Sequence, residues 1–60
     1  MTIGKRIREA RRAKGWTQRA LSTEMGYTVT YISMIENDHR KPSSRALMAF
    51  ERALDTRIVK

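Results

Sequence analysis

The sequence predicts an all-α fold, a compact domain of four to five helices with a helix-turn-helix at its centre. Three observations carry that expectation. Apolar residues recur at helical spacing throughout the 60 residues. Gly15 and Gly26 close successive periodic segments, and each is followed two positions later by a threonine suited to cap the next helix. An apolar content of 40% provides for one small core. A chain this short buries only about 60% of its unfolded surface, so residues 1–60 read as a single domain without room for a deep substrate pocket.

In the first helix Ile3, Ile7 and Ala10 fall at i, i+4 and i+7 and make one narrow apolar stripe, closed by Gly15. The second opens at Thr17, with Trp16 packing on Leu21 as a hydrophobic staple, and runs to Met25. Gly26 supplies the left-handed conformation for a sharp turn, and Tyr27-Thr28 repeats the device with Ile32 as staple partner. A third helix follows over residues 29–37. Asn37 and Asp38 tolerate a positive φ, and residues 39–42 continue as a polar loop. Either Ser43 or Ser44 caps a fourth helix, in which Leu47, Phe50 and Leu54 fall at i, i+3 and i+7. Residues 57–60 start a fifth turn that the end of the sequence cuts off, with Ile58 and Val59 needing cover.

Thirteen Lys and Arg against six Asp and Glu give a formal charge of +7. The excess is concentrated: residues 1–23 hold seven of the basic side chains and only Glu9 among the acids. Such a balance favours a polyanionic partner, nucleic acid before anionic membrane. With no cysteine there is no disulfide framework and no thiolate metal site. No apolar run approaches the roughly 20 residues that span a bilayer. The basic N-terminus has no apolar run behind it to make a secretory signal, so a cytoplasmic protein is expected. His39 has no second histidine at ligand spacing and reads as solvated, so neither a metal nor any other cofactor is expected. Ser33, Asp38 and His39 spell a hydrolase triad, yet nothing supplies a pocket or an oxyanion site. The sequence therefore predicts no enzyme, and no small-molecule substrate is evident.

A short helix, a glycine-containing turn and a second short helix form the helix-turn-helix pattern, here over residues 17–37. Leu21 and Met25 meet Ile32 and Ile35 in a shared core, which leaves Val29, Thr30, Ser33 and Met34 facing outward, as a DNA major groove would require. A core position for Val29 and Met34 is disfavoured, because Ile32 and Ile35 already define the buried side. Tyr31 reads as a half-buried packing residue and Trp16 as a core anchor.

Gly15-Trp16-Thr17-Gln18, Leu21, Gly26, Tyr31-Ile32-Ser33, Ile35-Glu36-Asn37 and Pro42-Ser43 together resemble the phage repressor and Cro family, the XRE-type helix-turn-helix regulators. The resemblance covers residues 3–56 and needs no insertion or deletion between Gln18 and Pro42. It implies a sequence-specific, double-stranded DNA-binding transcriptional regulator, a repressor by preference, working as a homodimer at the nucleoid. It further implies that Thr17 and Gln18 hold a phosphate at the start of the second helix. Thr28, Val29, Thr30, Ser33 and Met34 match the family's groove-facing positions, and Asn37, Arg40 and Lys41 its second backbone contact region. Arg11 and Glu36 match a partly buried ion pair between the first and third helices.

Three departures qualify the resemblance. Ser22 stands where the family usually has alanine. Asp38 stands where glycine is usual and reads as a turn former rather than as a charge that repels phosphate. Val29 and Met34 stand where related proteins use long polar side chains, so hydrogen-bond readout of bases is thin. Lys5, Arg6, Arg8, Arg12 and Lys14 read as a solvated helix face, whereas Arg11, beside Ile7, faces inward. The rival reading is a basic interaction module for an acidic protein partner or an anionic surface, without operator-specific binding. The first helix has too narrow an apolar stripe to insert into a membrane.

Overall fold

The structure, a computed structural model, describes residues 2–58. Four helices follow one another: α1 (Ile3–Ala13), α2 (Gln18–Met25), α3 (Val29–Glu36) and α4 (Ser44–Leu54). Each begins at a hydroxyl side chain that accepts a backbone N–H three residues on. Thr2 serves Lys5, Thr17 serves Ala20, Thr28 serves Tyr31 and Ser43 serves Ala46. That satisfies one of the donors every helix start leaves unpaired. Ser43 is therefore the cap of α4, and Ser44 is its first helical residue.

The turns use the residues the sequence assigns to them. Gly15 and Gly26 take φ values of 74° and 77°. Between α3 and α4 it is Asp38, at φ 61°, that adopts the left-handed conformation, while Asn37 stays at φ −92°. Asp38 is thus a turn former, and its carboxylate also accepts the Thr2 hydroxyl proton at 3.0 Å. This bond ties the cap of α1 to the loop leaving α3. Gly4, in the first turn of α1, is buried there, and a Cβ on it would collide with the backbone carbonyl of Ile35 and the Asp38 carboxylate. The first turn of α1 and the last turn of α3 therefore meet backbone to backbone.

Ile7, Leu21, Ile32, Ile35, Phe50, Leu54 and Ile58 form the core, one or more from each helix, with Trp16, Met25, Tyr31 and Leu47 packed around it. Ile3 lies at the edge of the stripe predicted for the first helix and keeps 37% of its surface exposed. The expectation for the C-terminal stretch is corrected. Leu54 and Ile58 do not lack cover, since each is only 3% exposed. The tail beyond α4 turns at Asp55, φ 52°, and folds back. There the Ile58 N–H donates to Glu51 Oε2 at 2.9 Å, and its carbonyl accepts Arg6 Nη1 at 3.1 Å. No fifth helix forms within the described residues, and Val59, the other residue expected to need cover, lies outside them.

Candidate nucleic-acid interface

Gly26, Tyr27 and Thr28 turn the chain between α2 and α3. The Tyr27 and Tyr31 rings stack across the start of α3 with centroids 5.2 Å apart, and the Arg40 guanidinium lies 5.5 Å from the Tyr31 ring. At about 100° per residue, Val29, Ser33, Asn37, Thr30 and Met34 occupy one arc of about 140° on α3. Ile32, Ile35 and Glu36, all buried, lie outside that arc. Val29, Ser33 and Met34 are half-buried, Thr30 and Asn37 are exposed, and neither Val29 nor Met34 belongs to the core cluster.

What aims this face is Glu36, whose side chain is fully enclosed. Arg11 Nε donates to Glu36 Oε2 at 2.7 Å and Nη2 donates to Oε1 at 3.0 Å, while Nη1 reaches the Trp16 carbonyl at 2.7 Å. A single guanidinium thus joins α1, the turn before α2 and α3. Gln18 Nε2 adds a bond to Glu36 Oε1 at 3.2 Å, and Arg8 Nε stands 3.5 Å from the same oxygen. Burial works against the charged carboxylate. The hydrogen bonds from Arg11 and Gln18 and the charges of Arg11 and Arg8 outweigh it, holding Glu36 below its ordinary pKa. Among the described residues no buried polar side-chain atom is left without a hydrogen-bond partner.

Two further contacts lead from this centre to the outer face. Arg8 Nη2 donates to Asn37 Oδ1 at 2.6 Å and to the Glu36 carbonyl at 3.3 Å, and Asn37 Nδ2 donates to Ser33 Oγ at 3.3 Å. Arg8 is thus no member of a freely solvated helix face, and neither is Arg6, which holds the Ile58 carbonyl. Lys14 covers the Trp16 ring at 4.9 Å.

The sequence that folds in this way matches a known family along most of its length. Residues 7–60 fit the family described as Helix-turn-helix. The chain belongs to the XRE-type helix-turn-helix family. It is 40% identical over 57 residues to the HTH-type transcriptional regulator y4dL of Sinorhizobium fredii; that match covers 95% of this chain and 29% of the relative. The chain therefore spans less than a third of that regulator's length. Among solved structures it superposes on the restriction-modification controller protein C.AhdI from Aeromonas hydrophila with a TM-score of 0.88 and 32% identity, over 93% of this chain and 85% of the controller. It superposes equally well, TM-score 0.88 at 31% identity, on SinR, the master regulator for biofilm formation, in complex with DNA. That match covers 95% of this chain and 92% of SinR's.

Against the family pattern, the Arg11–Glu36 pair forms as the resemblance implies. Thr17 and Thr28 are exposed helix caps, and Arg40 and Lys41 are exposed in the loop before α4. Gln18 and Asn37, expected on phosphates, are each partly engaged inside the domain, Gln18 on Glu36 and Asn37 between Arg8 and Ser33. Among the described residues each amide donates one hydrogen bond and has a second N–H without an acceptor. Sequence reasoning missed Arg8, although its place one turn before Arg11 on the same helix face was the available signal. Nothing local announced the close approach at Gly4 or the bond from Thr2 to Asp38, since both involve residues more than 30 positions away.

Proposed function

We propose that this chain is a sequence-specific double-stranded DNA-binding regulator of transcription, a repressor that occupies a two-fold operator as a homodimer. The observation that carries the reading is the outer face of α3. Arg11, Arg8 and Gln18 converge on the buried Glu36 and fix the helix, so that Val29, Thr30, Ser33 and Met34 project from one side of it. Family membership and the likeness to a DNA-bound regulator support the same reading. In it, Thr28, Val29, Thr30, Ser33 and Met34 meet base edges, and Thr17, Gln18, Asn37, Arg40 and Lys41 meet the phosphates that flank them. The two recognition helices of a dimer would stand about 34 Å apart, one turn of DNA. Leu54 and Ile58 are buried within the domain and offer no dimer contact, whereas the loop of residues 38–41 is exposed and is the surface we assign to that contact.

The rival reading, a basic interaction module for a protein partner or an anionic surface, loses support on its surface-binding arm. Ile7 and Gly4 face the interior and Arg11 is committed to Glu36, so the exposed part of Ile3 is all the large apolar surface α1 has left, too little to insert. No helix among the described residues is long and apolar enough to cross a membrane. Selection from a randomised duplex library tests the reading. A shared, two-fold sequence among the retained duplexes is expected, and capture by anionic liposomes with no duplex retained would refute it.

A further inference from the structure

Asn37 ends the outer face of α3, and its amide has two chemically opposite ends. Which end faces DNA is decided by Arg8. A guanidinium has only donors, so the Asn37 atom 2.6 Å from Arg8 Nη2 has to be the oxygen. Arg8 is itself fixed on α3 by the Glu36 carbonyl and by the nearby Glu36 carboxylate. With Oδ1 held, the amide nitrogen turns the other way: one N–H goes to Ser33 Oγ, and the second has no acceptor among the described residues. We propose that Arg8 is a positioning residue for DNA binding, clamping Asn37 so that a spare N–H, and not the amide oxygen, meets a phosphate oxygen of the duplex.

The sign of the contact is what matters. A phosphate oxygen only accepts, so the clamped amide adds a hydrogen bond, whereas the flipped amide would set a carbonyl oxygen against an anion. Arg8 need touch no DNA to have this effect. The inference rests on the reading that this face binds duplex DNA.

The test has one arm without DNA and one with it. In the free protein, the side-chain amide resonances of Asn37 are expected to shift clearly in Arg8→Met, and also in Arg8→Lys, which keeps the charge and cannot reproduce the planar clamp. With DNA, Arg8→Met and Asn37→Ala are each expected to lose about tenfold in affinity. The loss should be alike for a duplex selected from a randomised library and for a mixed-sequence duplex, and Arg8→Met/Asn37→Ala should lose no more than either single variant. Should Arg8→Met melt early, Arg8→Lys is expected to lose several-fold with its fold retained. Amide resonances unmoved in both variants, losses multiplying to about a hundredfold, or a loss confined to the selected duplex would each overturn the proposal. If the unaltered protein retained no duplex at all, the DNA reading would fall and the proposal with it, while the amide spectrum would still report on the clamp.

Discussion

Arg11 meets Glu36 edge to edge, with two nitrogens on two oxygens at 2.7 and 3.0 Å, across the junction of α1 and α3. The third guanidinium nitrogen holds the Trp16 carbonyl, so the ion pair closes the domain as well as aiming the outer helix face.

Removing one partner strands the other charge in a dry site, at a cost of about 3 to 5 kcal/mol. Against a total near the lower end of the usual range, about 5 kcal/mol, Glu36→Ala is expected to keep no more than about 2 kcal/mol and to melt far below the parent. A thermal midpoint within two or three degrees of the parent, by circular dichroism (about 0.5 kcal/mol), would show that the pair contributes little.

The same carboxylate predicts an acid limb. Its pKa is lowered in the folded state, so the stability it contributes is complete above the unfolded glutamate value, about 4.3, and is lost as pH falls through the folded value. The thermal midpoint should therefore drop as pH is taken from about 5 towards 3. Glu36→Gln should start lower at neutral pH and show a shallower drop, and parallel curves for the two proteins would contradict the assignment.

Gly4→Ala pits two effects against each other. Alanine favours the helix by about 1 kcal/mol. The added methyl, however, meets the Ile35 carbonyl, which belongs to backbone and cannot rotate aside. Overpacking costs about 1 to 3 kcal/mol, and a clash with backbone falls at the upper end, so a net loss of about 2 kcal/mol, roughly 8 °C or more in thermal midpoint, is expected. A midpoint at or above the parent's would mean that α1 can slide off α3 at no cost.

Some of this arrangement was legible in the sequence and some was not, and the division is physical. Thr17, Gly26 and Thr28 act on neighbours within four positions, so their types and spacing declare the caps and the turn. The Arg11–Glu36 pair spans 25 positions and was accessible only through family resemblance. Thr2 bonding Asp38 and Gly4 lying under Ile35 depend on how two distant helices cross, which no local pattern encodes. Ile58 looked exposed because its cover comes from a chain reversal at Asp55, a residue whose left-handed φ is uncommon and not announced by glycine.

Ser43→Ala should lose about 1 kcal/mol through its cap on Ala46, and Ser44→Ala no more than a few tenths. Equal losses in chemical denaturation would reassign the start of α4.

On DNA, a dimer that neutralises about 6 to 10 phosphates should lose about 10³ to 10⁵ in affinity between 50 and 200 mM salt. Filter binding across that range gives the slope directly, and a flat line would exclude a phosphate-dominated interface.

Val29 and Met34 offer apolar surface where polar readers are usual, so base discrimination should lean on thymine methyl groups, with Thr30 and Ser33 hydroxyls adding hydrogen bonds. Replacing thymine by uracil one position at a time in a selected duplex removes a methyl and nothing else. At least one position should weaken binding, and that loss should vanish in Val29→Ala or Met34→Ala. Tolerance of uracil everywhere would move the reading face elsewhere on α3.

Val29, Thr30, Ser33 and Met34 stand outside both the core cluster and the hydrogen bonds that converge on Glu36, apart from the bond Ser33 accepts from Asn37. Thr28 apart, which caps α3, the side chains that would choose a binding sequence are thus not the ones that keep the domain folded. Surface substitutions away from core, caps and buried networks usually change stability by no more than about 0.5 kcal/mol. Preference for one operator over another can therefore drift through successive point mutations without passing through an unfolded intermediate, and a library randomised at these four positions should return mostly folded proteins with many different tastes in DNA.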